Sequence, residues 1–409
     1  MKNLLFLLSA TALLASCNQD ILVDTPQPKP EAPRHIGFET FVDKATRTAG
    51  TNSNNLQDFY PSFNVYGWKT VGSESPASVF DNVTVSFYNA NDANATKPGA
   101  EWGSTPVTGW YYENIRYWDK MASKYQYSAF TPTPSGVAFN CTSDGLIEIG
   151  TSEKPVTVDN KNLMSTPSTS LAYTGFNKDY MTAQATAEPS KDAADMSTPV
   201  SLIFSHLQAK LNIRIMLHES MKTAQNIKVT QIDVHNLNDK GYYTNAKDEN
   251  GNKAGVSGWT VGTASDTYIP SVTTDYLINN ANEEEGIVSY HNHYVLEQLI
   301  IPQTITKFVP QTPETTEETS DNTDTEDSRT LPVSLSEYEV ACVYVEYTIG
   351  TEVFKSFTPL SNIFSNEATY NFEGGKQYTL NITIGPKPIE FTAEVTKWAD
   401  EISGGLDMD

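Results

Sequence analysis

The sequence is short of positive charge, of cysteine and of long apolar runs, and each shortage closes off a class of protein. Only 27 Lys and Arg stand against 50 Asp and Glu, a net charge of −23. Phosphate backbones are held by clustered cationic surface, so nucleic acid is not an expected partner. Beyond the first residues no segment is apolar enough to cross a bilayer as a helix, which takes ~20 apolar residues. No nucleophile elbow, zinc helix motif or phosphate loop occurs. Fifty acids offer no distinguished pair for glycoside hydrolysis. His291-Asn292-His293 sets two imidazoles on one face of a strand, yet no third ligand stands at fixed spacing. A solvated strand face is therefore the expectation, with no metal and no cofactor. Amphipathic helices are nearly absent, and no short internal repeat is present.

What is present begins at the N-terminus. Met1-Lys2-Asn3 gives a short positive start, and Leu4 to Ala15 is apolar, broken only by small residues. The proportions are those of a signal-peptide core. The run ends in Leu14-Ala15-Ser16-Cys17, which resembles a bacterial lipobox. That resemblance implies removal of residues 1–16 and acylation of Cys17, with several chains giving a stable anchor where one would be marginal. Asn18 in place of an aspartate gives no sign of inner-membrane retention, so the outer membrane is expected. Residues 18–35 carry Pro26, Pro28, Pro30 and Pro33 and read as an extended tether. Ile36 to Val42 reads as a first strand, followed by Arg47 and a polar stretch. Cys141 and Cys342 either form one disulfide in an oxidising compartment or are two buried thiols.

From there the apolar period is two almost everywhere. Phe63-Val65, Val83-Val85-Phe87, Tyr125-Tyr127-Ala129, Val200-Leu202-Phe204, Leu207 to Ile215, Ala341 to Ile349, Tyr378 to Ile384 and Ile389 to Val395 alternate, with turn residues between. The expected class is all-β, as two antiparallel sandwiches in tandem. The parity flips at His206-Leu207, from even positions to odd. One buried face cannot continue through such a flip, so a bulge or a change of sheet is expected there. The polar segment 183–199 suggests a division into an N-terminal domain, 48–196, and a C-terminal domain, 197–409. Segment 312–328 holds seven acids and no base or aromatic, and it reads as a mobile acidic loop.

Several patterns recur together in the right order. They are Phe63-Asn64-Val65-Tyr66-Gly67-Trp68, Tyr117-Trp118, the strand Val200 to Leu211 with its Phe204-x-His206, Leu299-Ile300-Ile301-Pro302-Gln303, and Gly374-Gly375-Lys376-Gln377-Tyr378 running on to Trp398. With the lipobox, this set resembles the fimbrillin family, the lipoprotein-derived subunits of type V pili. The resemblance implies two transthyretin-like β-sandwiches and no enzymatic activity. It further implies a surface precursor cut after an arginine by a trypsin-like, Arg-specific surface protease. Loss of the first strand then opens a groove that a neighbouring pilin subunit fills. Arg47, before Thr48, is the arginine whose cutting would release a strand. Arg34 precedes that strand, and Arg329, beside the acidic segment, is a rival site. The candidate donor strand carries Ile389, Phe391, Ala393 and Val395, although it could equally close its own sheet. Such a fimbria supports adhesion through host or bacterial surface glycans or proteins.

The competing reading is an outer-membrane surface lipoprotein that does not polymerise: an anchor, a tip, or a glycan binder. Six Trp and 21 Tyr could build a stacking platform, with Trp110, Tyr111 and Trp118 its best candidates.

Overall fold

The computed structural model describes residues 34–42, 56–58, 60–132, 136–158, 179–189, 196, 198–218, 227–262, 271–272, 276–277, 293–306, 340–365, 369–385 and 390–397. In chain order the strands are β1 (Phe38–Val42), β2 (Ser62–Thr70), β3 (Ala77–Tyr88), β4 (Gly109–Tyr112), β5 (Lys124–Thr131), β6 (Phe139–Cys141), β7 (Ile147–Ile149), β8 (Val156–Thr157), β9 (Met181–Ala187) and β10 (Val200–His206). They continue as β11 (Ala209–Leu217), β12 (Ile227–His235), β13 (Lys240–Thr244), β14 (Trp259–Val261), β15 (Ser271–Val272), β16 (Tyr276–Leu277), β17 (His293–Ile300) and β18 (Gln303–Thr306). The last are β19 (Cys342–Ile349), β20 (Glu352–Pro359), β21 (Thr369–Phe372), β22 (Lys376–Ile384) and β23 (Glu390–Lys397), with a short helix α1 (Leu360–Phe364) before β21. The protein is all-β, as its β-branched and aromatic alternation predicts.

The first sheet runs β1-β10-β9-β5-β2-β3-β4. Its inward face is rich in rings: Phe38, Phe63, Phe80, Trp110, Tyr112, Tyr125, Tyr127 and Phe204. Gly67 is the exception that lets them meet. A Cβ there would lie 2.9 Å from both the Phe80 and Tyr127 rings, closer than packed carbon atoms approach.

The second core is aliphatic. Leu211, Ile213, Ile215, Leu380, Ile382 and Ile384 come from the sheet β17-β11-β22-β23. Val229, Ile232, Val234, Val343 and Val345 come from the sheet β15-β12-β19-β20. A small sheet, β14-β13-β7-β6 with β8 also on β13, packs against this core.

Sheet pairing crosses residues 196/197, where a division into domains was expected. β10 lies C-terminal to that point, yet it pairs with β1 and β9. β7 and β8 lie N-terminal to it, yet they pair with β13. The parity flip at His206-Leu207 is a change of sheet. β10 ends at His206 in the first sheet, and β11 starts at Ala209 in the second. The crossing is fixed by the Trp259 indole, which donates to Leu207 O at 2.7 Å, and by Gly375 N–H, which donates to Gln208 O at 2.8 Å. His206 Nδ1 meets Asp179 Oδ2 at 2.8 Å, and both side chains are buried. This accounts for a histidine at the end of an apolar strand.

Candidate functional site

β1 is unlike the other strands of the first sheet. It pairs parallel to β10, in the register Phe38↔Val200 through Val42↔Phe204, while every other pairing in that sheet is antiparallel. At its other side it meets β4, the opposite margin of the same sheet. The Tyr112 hydroxyl donates to Ile36 O at 2.6 Å, and Ile36 N–H donates to Arg116 O at 2.8 Å. The sheet therefore curls until its two margins meet, and β1 closes the gap.

Alternation does the rest. Ile36, Phe38, Thr40 and Val42 point inward and are buried, whereas Glu39 and Phe41 are half-buried on the outside. The Phe38 ring sits among four others, with centroids 6.0 Å from Phe63, 5.4 Å from Phe80, 5.9 Å from Tyr112 and 5.8 Å from Tyr127, all edge-on. Edge-to-face rings at such spacing add to the area they bury. Each fully buried Ile, Phe or Val contributes about 1.5–3 kcal/mol, so β1 is held chiefly by three side chains. The fourth inward residue works against it. Thr40 is 4% exposed, and its hydroxyl has no hydrogen-bond partner among the described residues. Burial of the trough pushes the Tyr112 phenol up to about 12 and Tyr127 further still, so both stay neutral at ordinary pH.

Without β1, the first sheet would present a bare β10 edge and a trough lined by Phe63, Phe80, Tyr112 and Tyr127. Chemically this is a site for one extended peptide. Its backbone would complete the β10 ladder, and alternate side chains would fill the trough.

Of the residues singled out from sequence, Cys17, Arg47, Thr48, His291, Ile389 and segment 312–328 lie outside the described residues. Phe391, Ala393 and Val395 lie in β23, which pairs antiparallel with β22 at the margin of its own sheet. In this arrangement the named donor residues close the C-terminal sheet of their own chain. β23 is nonetheless lightly held: Phe391 and Ala393 are half-buried and Val395 is 43% exposed. Cys141 and Cys342 are both buried free thiols, not a disulfide, and burial raises each to about 12.

The aromatic platform does not form. Trp110 is 9% exposed and sits edge-on to Phe63 and Phe87, with no ring face left to stack on a sugar. Trp118 is half-buried against Tyr125 at 4.8 Å. Tyr111 alone faces outward, into a cavity of about 960 Å³ that it lines with Phe87 and Tyr88. Sequence reasoning could not choose between the faces of β4, because Gly109-Trp110-Tyr111-Tyr112 offers aromatics to both. Among the described residues no group of three or more His, Cys, Asp or Glu is placed to hold a metal ion. None of their helices is long and apolar enough to cross a membrane.

No curated protein matches the chain. Among solved structures, a fimbrial protein from Bacteroides vulgatus is 14% identical with a TM-score of 0.46, over 90% of this chain and 99% of that one. The tip fimbrial protein Mfa3 from Porphyromonas gingivalis, with a C-terminal truncation, is 9% identical with a TM-score of 0.36, over 82% of this chain and 94% of that one. The family model described as fimbrillin-like matches residues 46–398, beginning after β1 and ending beyond β23. A match over that span places the whole body of the sheets in one family, and the chain belongs to the fimbrillin-like family.

Proposed function

We propose that this chain is the precursor of a structural subunit of a surface fimbria. In this reading it is exported as a lipoprotein acylated at Cys17, cut between Arg47 and Thr48 by an Arg-specific surface protease, and polymerised by strand exchange. It is a building block for adhesion and not an enzyme. The observation that carries the reading is β1: a short parallel strand closing an otherwise complete sheet over an aromatic trough. The family match supports it, since the matched body starts after β1 and takes in Arg47. An edge with unpaired backbone groups over an apolar trough is unstable alone and is satisfied by a donor strand. A head-to-tail joint of this kind does not close on itself and generates a filament.

The test is the N-terminal sequence and mass of the surface protein, beside an Arg47→Ala strain. A mature chain beginning at Thr48, with high-mass polymers lost in the variant, is the expected result. A chain that keeps an acylated Cys17 and never polymerises overturns the reading and leaves an anchor or a glycan-binding lipoprotein.

A further inference from the structure

Another cavity, of about 430 Å³, opens where the aromatic and aliphatic regions meet. Its lining includes Ile203 and Ser205 of β10, Tyr243 of β13, and Ser257 and Lys253 of the β13–β14 loop. Lys376, the first residue of β22, stands on the wall as well. No lining residue is an aspartate or a glutamate. By contrast, the larger cavity beside Tyr111 is lined by Asp92, Glu101 and Glu113. In a chain of 50 acids and 27 bases, two lysines without a carboxylate run against the composition.

We infer that this cavity binds a small ligand through one tetrahedral oxyanion, a phosphate or a sulfate, either as the free ion or esterified to a sugar-sized molecule. The inference stands apart from strand exchange, because none of the lining belongs to β1 or β23.

The polar groups on offer are donors. Ser257 Oγ already accepts Gly374 N–H at 3.1 Å, which leaves its own proton to give. That serine is held at φ +55, a left-handed conformation that a side-chain-bearing residue keeps only where its surroundings impose it. Burial pushes the Tyr243 phenol up to about 12, so it stays a hydroxyl. Lys253 has no carboxylate partner among the described residues. Lys376 Nζ meets Glu373 Oε2 at 2.8 Å, with the two side chains 38% and 46% exposed. Water screens a pair this open, so the ammonium can serve a second anion at little cost. His206 also lines the cavity, but its Nδ1 is committed to the buried Asp179 carboxylate at 2.8 Å.

The donor set narrows the ligand. A planar carboxylate is held best by the fork of an arginine, and no arginine lines this cavity. Compact ammonium charges with hydroxyls beside them suit a tetrahedral oxyanion better. Ligand cavities run from about 300 to 1,000 Å³, so this one takes a sugar-sized molecule at most. A net charge of −23 repels a polyanion at a distance, which leaves a ligand with a single oxyanion. The wall draws on three sheets, so an occupant ties the Lys253 loop and the start of β22 to β10.

The test is calorimetric titration of the full chain, at low salt, with inorganic phosphate, inorganic sulfate and glucose 6-phosphate in turn. Saturable one-to-one binding of at least one probe is expected. Lys253→Gln is expected to weaken it about tenfold, as the loss of one charge-assisted contact does. Lys253→Gln with Lys376→Gln is expected to abolish it. Lys355→Gln, which removes an exposed lysine of β20 paired with Glu346, is expected to leave it unchanged. All three lysines are at least partly exposed, so the variants should keep the wild-type unfolding midpoint. Equal affinity for phosphate and the ester assigns the free ion, and tighter binding of the ester assigns an esterified sugar. Absence of saturable binding by every probe overturns the inference. So does binding that survives the double variant, or that falls equally in Lys355→Gln. None of these outcomes depends on filament formation, so the strand-exchange reading is tested separately.

Discussion

β1 and β23 stand at the margins of two sheets and share one pattern, Ile-x-Phe-x-(Thr or Ala)-x-Val over 36–42 and 389–395, yet their surroundings are unlike. β1 is pressed between the two ends of a curled sheet and buries all four inward side chains against rings. β23 borders a sheet that does not curl back on it among the described residues, beside an aliphatic core, and leaves Val395 43% exposed. The difference lies in closure and not in sequence. The same residues are tightly held where the sheet returns to meet them and loosely held where it does not.

The largest test of that contrast is truncation of the two matching phenylalanines. Phe38→Ala empties a seat bounded by four rings and is expected to destabilise the uncut precursor by about 3–5 kcal/mol. Phe391→Ala removes a half-buried ring and is expected to cost about 1–2 kcal/mol, a fraction of the fully buried value. Urea unfolding of the two variants, compared at equal slope, reads the gap. Equal losses would mean that β23 is held as firmly as β1, and the contrast would fail.

How much of this was legible beforehand depends on the range of the interaction. The alternation around Val200-Leu202-Phe204 and Ala209-Leu211-Ile213 showed the strands and a break at His206-Leu207, because parity is a local signal, but it left a bulge and a change of sheet as equal alternatives. The seat of β1 was not legible, because its partners Val200 to Phe204 lie far along the chain and nothing local says which strand a margin will join. The small sheet was hidden for another reason: β6, β7 and β8 span only two or three residues each, too short to show a period. Trp110 was misjudged because β4 carries aromatic side chains on both faces.

An intermediate test acts on the joint between the two regions. A Cβ at residue 374 would lie 2.4 Å from Leu207 O, the carbonyl that also accepts the Trp259 indole N–H. Gly374→Ala therefore displaces the backbone where the chain passes from the aromatic region to the aliphatic one. The expected loss is about 1–3 kcal/mol, in the range of other overpacked sites. If the regions are joined rigidly here, both cores should lose protection together in hydrogen exchange. Loss confined to β22 and β23 would show that the two cores respond separately.

The smallest test lies on the rim of the aromatic region, where Lys69 Nζ of β2 meets Asp119 Oδ2 at 2.7 Å, with each side chain about a third exposed. The Lys69 ammonium, helped by Met121 N–H, holds the Asp119 carboxyl below the usual carboxylate range, and Asp119 in turn raises Lys69. Asp119 is the lowered partner, so its contribution is present above its unfolded value of 3.8 and is lost as pH falls through the folded value. Lys69 is the raised partner, so its share persists below 10.5 and fades as pH climbs past its folded value. Between those limits Lys69→Met is expected to cost only about 0.2–1 kcal/mol, because water screens a pair this exposed. The gap between variant and wild type should close as pH falls from 3.8 through the lowered folded value of Asp119, and it should shrink in high salt. A larger loss, or one that acid leaves unchanged, would mean that the Lys69 stem supports β2 by packing and that the aromatic region is held at its rim as well as at its centre.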